Sequence, residues 1–161
     1  MKKLIFLLIY ILLFCSFKKP EIYFSDGDVK YSYDQKYWGE ISPAQGIWVY
    51  TSENSNLILK TNNSYIHLFP KSKMCLSLIS EDNVIIDLQI GKMIVKNLGN
   101  NLAICSKNVV FCSELGDFYV DANNHVEKFS GSIKIYSSKD FHKHLEKFLN
   151  KKKIPVKELK K

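Results

Sequence analysis

Ile86-Asp87-Leu88-Gln89-Ile90-Gly91-Lys92-Met93-Ile94-Val95 runs apolar, polar, apolar up to a single glycine and leaves it as a second β-type run. Alternation of period two puts one face of a strand against a core and the other in water. The stretch therefore predicts two short strands that meet at Gly91. Forty residues later Val126-Glu127-Lys128-Phe129-Ser130-Gly131-Ser132-Ile133-Lys134-Ile135 has the same shape around Gly131. A repeat of that period is a sign of stacked β units, and it points to a two-part β domain.

Outward from this pair the texture is the same. Runs of β-branched and aromatic residues at 29–33, 46–50, 56–60, 65–69, 74–79, 83–88, 92–96, 100–105, 108–112, 117–121, 125–129 and 132–136 read as strands. Between them stand turn formers such as Asp26-Gly27-Asp28, Pro70-Lys71-Ser72, Leu98-Gly99-Asn100-Asn101 and Asn123-Asn124. The β domain is expected over 26–137. The period then changes: Phe141, Leu145, Phe148 and Leu149 recur at helical spacing, with Ser137 and Asp140 as a capping box. One C-terminal amphipathic helix is predicted over 138–150, its apolar face closing an open end or edge of the β domain, followed by a basic tail at 151–161.

The N-terminus reads as a different kind of segment. Lys2 and Lys3 precede an apolar stretch from Leu4 to Phe17, broken only by Ser16. A positive start and a hydrophobic run shorter than the roughly 20 residues needed to span a bilayer describe a secretory signal or an N-terminal membrane anchor over 1–19. Leu12-Leu13-Phe14-Cys15 resembles a bacterial lipobox with Cys15 as its lipidation site, although Phe14 stands where a small residue is usual. A cleaved lipoprotein, a cleaved secreted protein and an uncleaved anchor all place the body outside the cytoplasm, in the periplasm or facing it.

The net charge of +7 is not spread through the chain. Residues 18–150 hold 15 lysines and 15 acids, while the tail holds six lysines against Glu158. There is no arginine, the residue that reads guanine edges and phosphates by paired hydrogen bonds, so a nucleic-acid partner is not expected. The tail instead suits contact with an anionic surface.

The order of these motifs resembles the FecR domain, a periplasmic all-β domain of iron-dicitrate sensor regulators and of free-standing envelope proteins. The resemblance runs over about residues 27–136. It comprises Gly27-Asp28-Val29, then Trp38-Gly39-Glu40-Ile41 with Gly46, then the run from Thr51 to Leu59. Tyr65-Ile66-His67-Leu68-Phe69-Pro70-Lys71-Ser72, Leu88-Gln89-Ile90-Gly91 and Gly131-Ser132-Ile133-Lys134-Ile135 complete it. Gly116-Asp117-Phe118-Tyr119-Val120 departs from the family pattern by lacking its threonine and by a spacing one residue shorter. The resemblance implies an all-β fold of short antiparallel and coil-like β-sheets from two related halves, and a non-enzymatic interaction or sensing module that binds a protein or another envelope component. Regulatory members carry a long cytoplasmic segment before their membrane helix. Only Met1, Lys2 and Lys3 precede the apolar run here, so regulation of a sigma factor is not expected to carry over.

Little in the chain looks catalytic. Beyond Cys15 the cysteines are Cys75, Cys105 and Cys112, an odd number that leaves open a Cys105 bridge to Cys75 or to Cys112, or three buried thiols. No CxxC occurs, His142 and His144 would point to different helix faces, and no glycine-rich phosphate loop or nucleophile elbow is present. No catalytic residue, cofactor or metal is expected. The binding candidates are aromatic: Tyr37, Trp38, Trp48 and Tyr50 belong to a cluster of aromatics before residue 51, and Tyr and Trp dominate interface hot spots. The plainer reading of the aromatics is that they fill the core and cover the first sheet. The alternatives for function are a structural or peptidoglycan-binding envelope protein, in which the β domain is a scaffold, and a secreted hydrolase.

Overall fold

The computed structural model of the chain describes residues 19–39, 43–61 and 63–149. The N-terminal segment with Cys15 and the basic tail lie outside the described residues. Among the described residues thirteen strands and one helix follow in order: β1 (Glu21–Asp26), β2 (Val29–Ser32), β3 (Trp48–Thr51), β4 (Asn56–Thr61), β5 (Ser64–Leu68), β6 (Ser72–Ile79), β7 (Asn83–Ile90), β8 (Lys92–Asn97), β9 (Asn101–Ser106), β10 (Val109–Ser113), β11 (Gly116–Asp121), β12 (Val126–Lys128), β13 (Lys134–Ser137) and α1 (Ser138–Leu149). The fold is all-β with a C-terminal helix, as the alternation predicts.

The strands form two sheets that face each other across one core. One sheet has the order β1-β4-β5-β8-β11-β12 and the other β13-β10-β9-β7-β6-β3-β2. Alternation makes this architecture: β4 and β11 bury every second residue, so Leu57, Leu59, Phe118 and Val120 point inward. The opposite sheet answers with Val49, Met74, Leu76, Ile86, Leu88 and Ile104. Burial of these side chains, each contributing about 1.5–3 kcal/mol, is the main force holding the sheets together.

The opening stretch is where the chain changes sheet. β7 belongs to the seven-stranded sheet, β8 to the six-stranded one, and β9 returns to lie parallel to β7 along Asn83↔Asn101 to Asp87↔Cys105. One coil of chain thus links the layers, and its β7–β9 ladder is parallel because β8 serves as the crossover. Gly91 makes the first corner with φ +84°; a Cβ there would lie 2.6 Å from Ser72 Cα. Gly131, at φ +71°, joins β12 to β13 and would bring a Cβ within 2.6 Å of Gly116 Cα. The two glycines are the same backbone device used in opposite directions and at opposite ends of the sheets. Their echo in sequence marks two corners between the sheets.

The return corner from β8 to β9 is pinned by side chains. Asn97 is fully buried between β5 and β11. Its Oδ1 accepts from Ser64 Oγ (2.9 Å), from the Asn100 N–H (2.9 Å) and from the Gly99 N–H (3.3 Å). Its Nδ2 donates to Asn100 O (2.9 Å) and Ser113 O (3.1 Å). Buried polar groups persist only when paired in this way.

Two features differ in detail from the sequence reading. The β fold begins at Glu21 rather than at residue 26, because β1 pairs with β4 at a sheet edge with all six residues exposed and so shows no apolar alternation. The helix, expected at an open end or edge, follows the edge strand β13 and lies on the outer face of the seven-stranded sheet, where Phe141 packs with Ala103, Val110 and Cys112. Its start is capped as predicted, with the Asp140 N–H donating to Ser137 Oγ (3.2 Å) and Ser137 Oγ to Asp140 Oδ2 (2.6 Å).

Candidate interaction surface

Trp48-Val49-Tyr50-Thr51 sends Val49 and Thr51 inward and leaves Trp48 and Tyr50 on the outer face of the seven-stranded sheet. Tyr50 stands opposite Lys73 of β6 and Trp48 opposite Cys75. Trp38 joins them from the loop between β2 and β3. Its ring meets that of Tyr50 edge-on at 6.1 Å between centroids. Lys73 Nζ lies 5.6 Å from the Trp38 ring centre and 5.4 Å from that of Trp48. Both are within the range of cation–π attraction, about 6 Å. The cluster is half-buried and covers the outer face of the sheet, while Tyr31 of the same stretch lies in the core.

The loop that delivers Trp38 is ordered by its own polar residues. Asp34 Oδ1 accepts from the N–H groups of Lys36 (2.9 Å) and Tyr37 (3.1 Å), and these bonds hold its carboxyl below the usual carboxylate range. Ser32 Oγ accepts from the Gln35 N–H, and Trp38 Nε1 donates to Gln35 O (3.1 Å). The Tyr31–Gly39 bridge closes the loop with two backbone bonds of 2.9 and 3.0 Å. Of the four aromatic candidates the structure gathers Trp38, Trp48 and Tyr50, while Tyr37 is turned to solvent at 82 % exposure. Lys73, which completes the cluster, was not a candidate from sequence. Its signal was its place beside the buried Met74 on an alternating strand.

Next to this cluster the same face carries Cys75, Asp87 and Cys105 side by side on β6, β7 and β9. Burial raises the Asp87 carboxyl, and burial together with the Asp87 charge pushes the Cys105 thiol up to about 11. The Cys75 thiol is raised by burial first. Cys75 and Cys105 stand two strand spacings apart, about 9.6 Å, beyond the Cα separation of a disulfide. Cys112 faces Ala103, two residues away from the partner of Cys105. No disulfide joins any two of Cys75, Cys105 and Cys112.

The outer face of the six-stranded sheet carries a second strip. Tyr23 and Tyr65 meet edge-on at 5.3 Å, His67 stacks on Phe69 at 4.3 Å, and Lys92 Nζ lies 5.2 Å from the Phe69 ring. His67 bonds Asn56 Oδ1 through Nε2 (3.2 Å), and burial lowers its pKa. Beside the helix a groove of about 270 Å³ is lined by Cys112, Glu114, Lys134, Tyr136, Phe141 and His144. Among the described residues no three His, Cys, Asp or Glu side chains are placed to hold a metal ion, and no helix is long and apolar enough to cross a membrane.

Protein-family models, curated proteins and solved structures were compared with the chain, and none of them matches it.

Proposed function

We propose that this protein is an exported, non-enzymatic binding module of the bacterial cell envelope, resembling a FecR domain, that captures an envelope protein on the Trp38–Trp48–Tyr50–Lys73 face. The observation that carries the proposal is the convergence of three aromatic rings and one ammonium group outside the core. Rigid aromatics on a sheet lose little conformational entropy on binding and contribute heavily to interfaces. Export rests on the signal-like segment at 1–19 and places the module in the periplasm or on the membrane facing it. The residues behind the family resemblance include Gly27, Gly91 and Gly131, which stand at corners between sheets. They speak for the fold and leave recognition to the surface.

Cross-linking in intact cells from a photoreactive group at Tyr37, beside the cluster, is the test. The expected result is one defined envelope protein, captured by the parent and lost in the Trp38→Ala/Trp48→Ala variant at unchanged thermal stability. No captured protein in repeated trials refutes the proposal. A wall-binding role is the second reading, favoured by the stacked His67–Phe69 strip, since flat rings also stack on sugars. It requires that the protein co-sediment with peptidoglycan and that His67→Ala/Phe69→Ala abolish this.

A further inference from the structure

Four turns meet at one end of the sandwich: the β5–β6 and β7–β8 corners and the β9–β10 and β11–β12 hairpins. Together they enclose an open cavity of about 400 Å³ whose lining includes Lys71, Lys92, Lys107, Tyr119, Asp121 and Asn123. Cross-bonds make the rim rigid. The Ala122 N–H donates to Gly91 O (2.9 Å), the Phe69 N–H to Lys92 O (3.2 Å), and the Lys92 N–H to Ser72 Oγ (3.0 Å). Lys107 Nζ reaches Asn123 Oδ1 at 3.4 Å.

The lysines are the unusual part. Lys71 has φ 56° and Lys107 φ 49°, the left-handed region where glycine and asparagine sit most easily and lysine is uncommon. Two independent turns therefore accept a backbone conformation that favours other residues, and both place a lysine in the lining of the same cavity. Strained positions of this kind collect at functional sites. Asp121 is the one carboxylate of the lining, and it is engaged by its own hairpin. Its Oδ1 accepts from the N–H groups of Asn123 (2.8 Å) and His125 (3.1 Å), and its Oδ2 from Tyr119 Oη (3.4 Å). Glu53 pairs with Lys71 from outside the lining, where both side chains are largely exposed and the pair is weak.

We propose that this cavity binds a phosphate-bearing anion through Lys71, Lys92 and Lys107. Lys71 Nζ rests on Glu53 and Lys92 Nζ over the Phe69 ring, both outside the lining, and these exposed contacts give way when an anion enters. Ammonium groups are point charges without the planar fork of arginine, so three lysines lining one cavity suit a tetrahedral, multiply charged group better than a planar monocarboxylate. The site is separate from the aromatic face and does not depend on its role.

Calorimetric titration of the full chain with inorganic pyrophosphate tests the site. The parent binds. Lys92→Gln and Lys107→Asn each weaken binding about tenfold, the loss expected for one charge-assisted contact, while Trp38→Ala leaves it unchanged. Lys107→Asn also relieves the left-handed strain, so its melting temperature stays level or rises as binding falls. Sedimentation with vesicles of phosphatidylglycerol in phosphatidylcholine identifies the source. Vesicle binding that disappears in Lys92→Gln/Lys107→Asn assigns the phosphate to a lipid headgroup, and pyrophosphate binding without it assigns a soluble or polymer-borne phosphate. The proposal is overturned if neither probe binds, if the double variant binds as well as the parent, or if Lys107→Asn lowers stability.

Discussion

Replacing Asn97 by alanine tests whether the β8–β9 corner is held by its side chain. The amide makes five hydrogen bonds, and four of its partners, Ser64 Oγ, the Asn100 N–H, Asn100 O and Ser113 O, belong to residues no more than 3 % exposed. Gly99 is only part-buried and can turn to water, and Ser64 Oγ keeps its bond from Asn100 Nδ2, so the other three groups set the scale. Leaving a buried donor or acceptor unpaired costs about 1–3 kcal/mol, which makes the expected loss about 3–9 kcal/mol. Against the roughly 5–15 kcal/mol that stabilise a domain, such a loss lowers the urea midpoint substantially with little change in slope. Asn97→Asp separates hydrogen bonding from shape, because it keeps the volume but turns an oxygen toward Asn100 O and Ser113 O. That variant is least impaired in acid, where the carboxyl is protonated and can donate one bond, and it loses stability as the pH rises. Urea unfolding followed by circular dichroism at several pH values measures both. A loss below about 1 kcal/mol in Asn97→Ala, or an Asn97→Asp variant indifferent to pH, would refute the reasoning.

Further outcomes follow from the corners and the outer face. Gly91→Ala combines a left-handed backbone, about 1–2 kcal/mol, with overlap on Ser72, about 1–3 kcal/mol; thermal unfolding should register their sum, and an unchanged melting temperature would show that the corner relaxes. The raised Asp87 carboxyl means that the folded state holds its proton more tightly than the unfolded chain does. Its ionised form therefore opposes folding, with no penalty below the unfolded pKa and the full penalty above the folded one. Asp87→Asn is accordingly expected to be more stable than the parent at neutral pH and no more stable in acid. The same change removes a negative charge that holds the Cys105 thiol up, so thiol-reagent kinetics at alkaline pH should show Cys105 reacting faster.

What could be read from sequence alone was local. Alternation around Ile86–Ile90 and in Trp48-Val49-Tyr50 declares strands and says which residues share a face, because side-chain direction in a strand is set by the backbone one residue at a time. Glycine at 91 and 131 declares corners, and Ser137 with Asp140 declares the start of the helix, since φ and capping are settled within a few residues. β1 was missed for the same reason: an edge strand exposed along its whole length carries no such pattern, and its pairing with β4 is settled by residues some thirty positions away.

Tertiary structure alone decided which sheet each strand joins. Two strands joined by a glycine can form a hairpin or pass between layers, and at Gly91 the chain passes between layers with Ser72 packed closely against it. It also decided the surface. Aromatic residues suit a core and an interface equally well by hydrophobicity, and Trp48 and Tyr50 face outward because Val49 and Thr51 fill the inward positions of β3. Lys73 beneath the tryptophans, and Lys71, Lys92 and Lys107 around one cavity, are brought together by ladders between distant segments. Convergence of that kind depends on the folded chain, so no local pattern of charge could announce it.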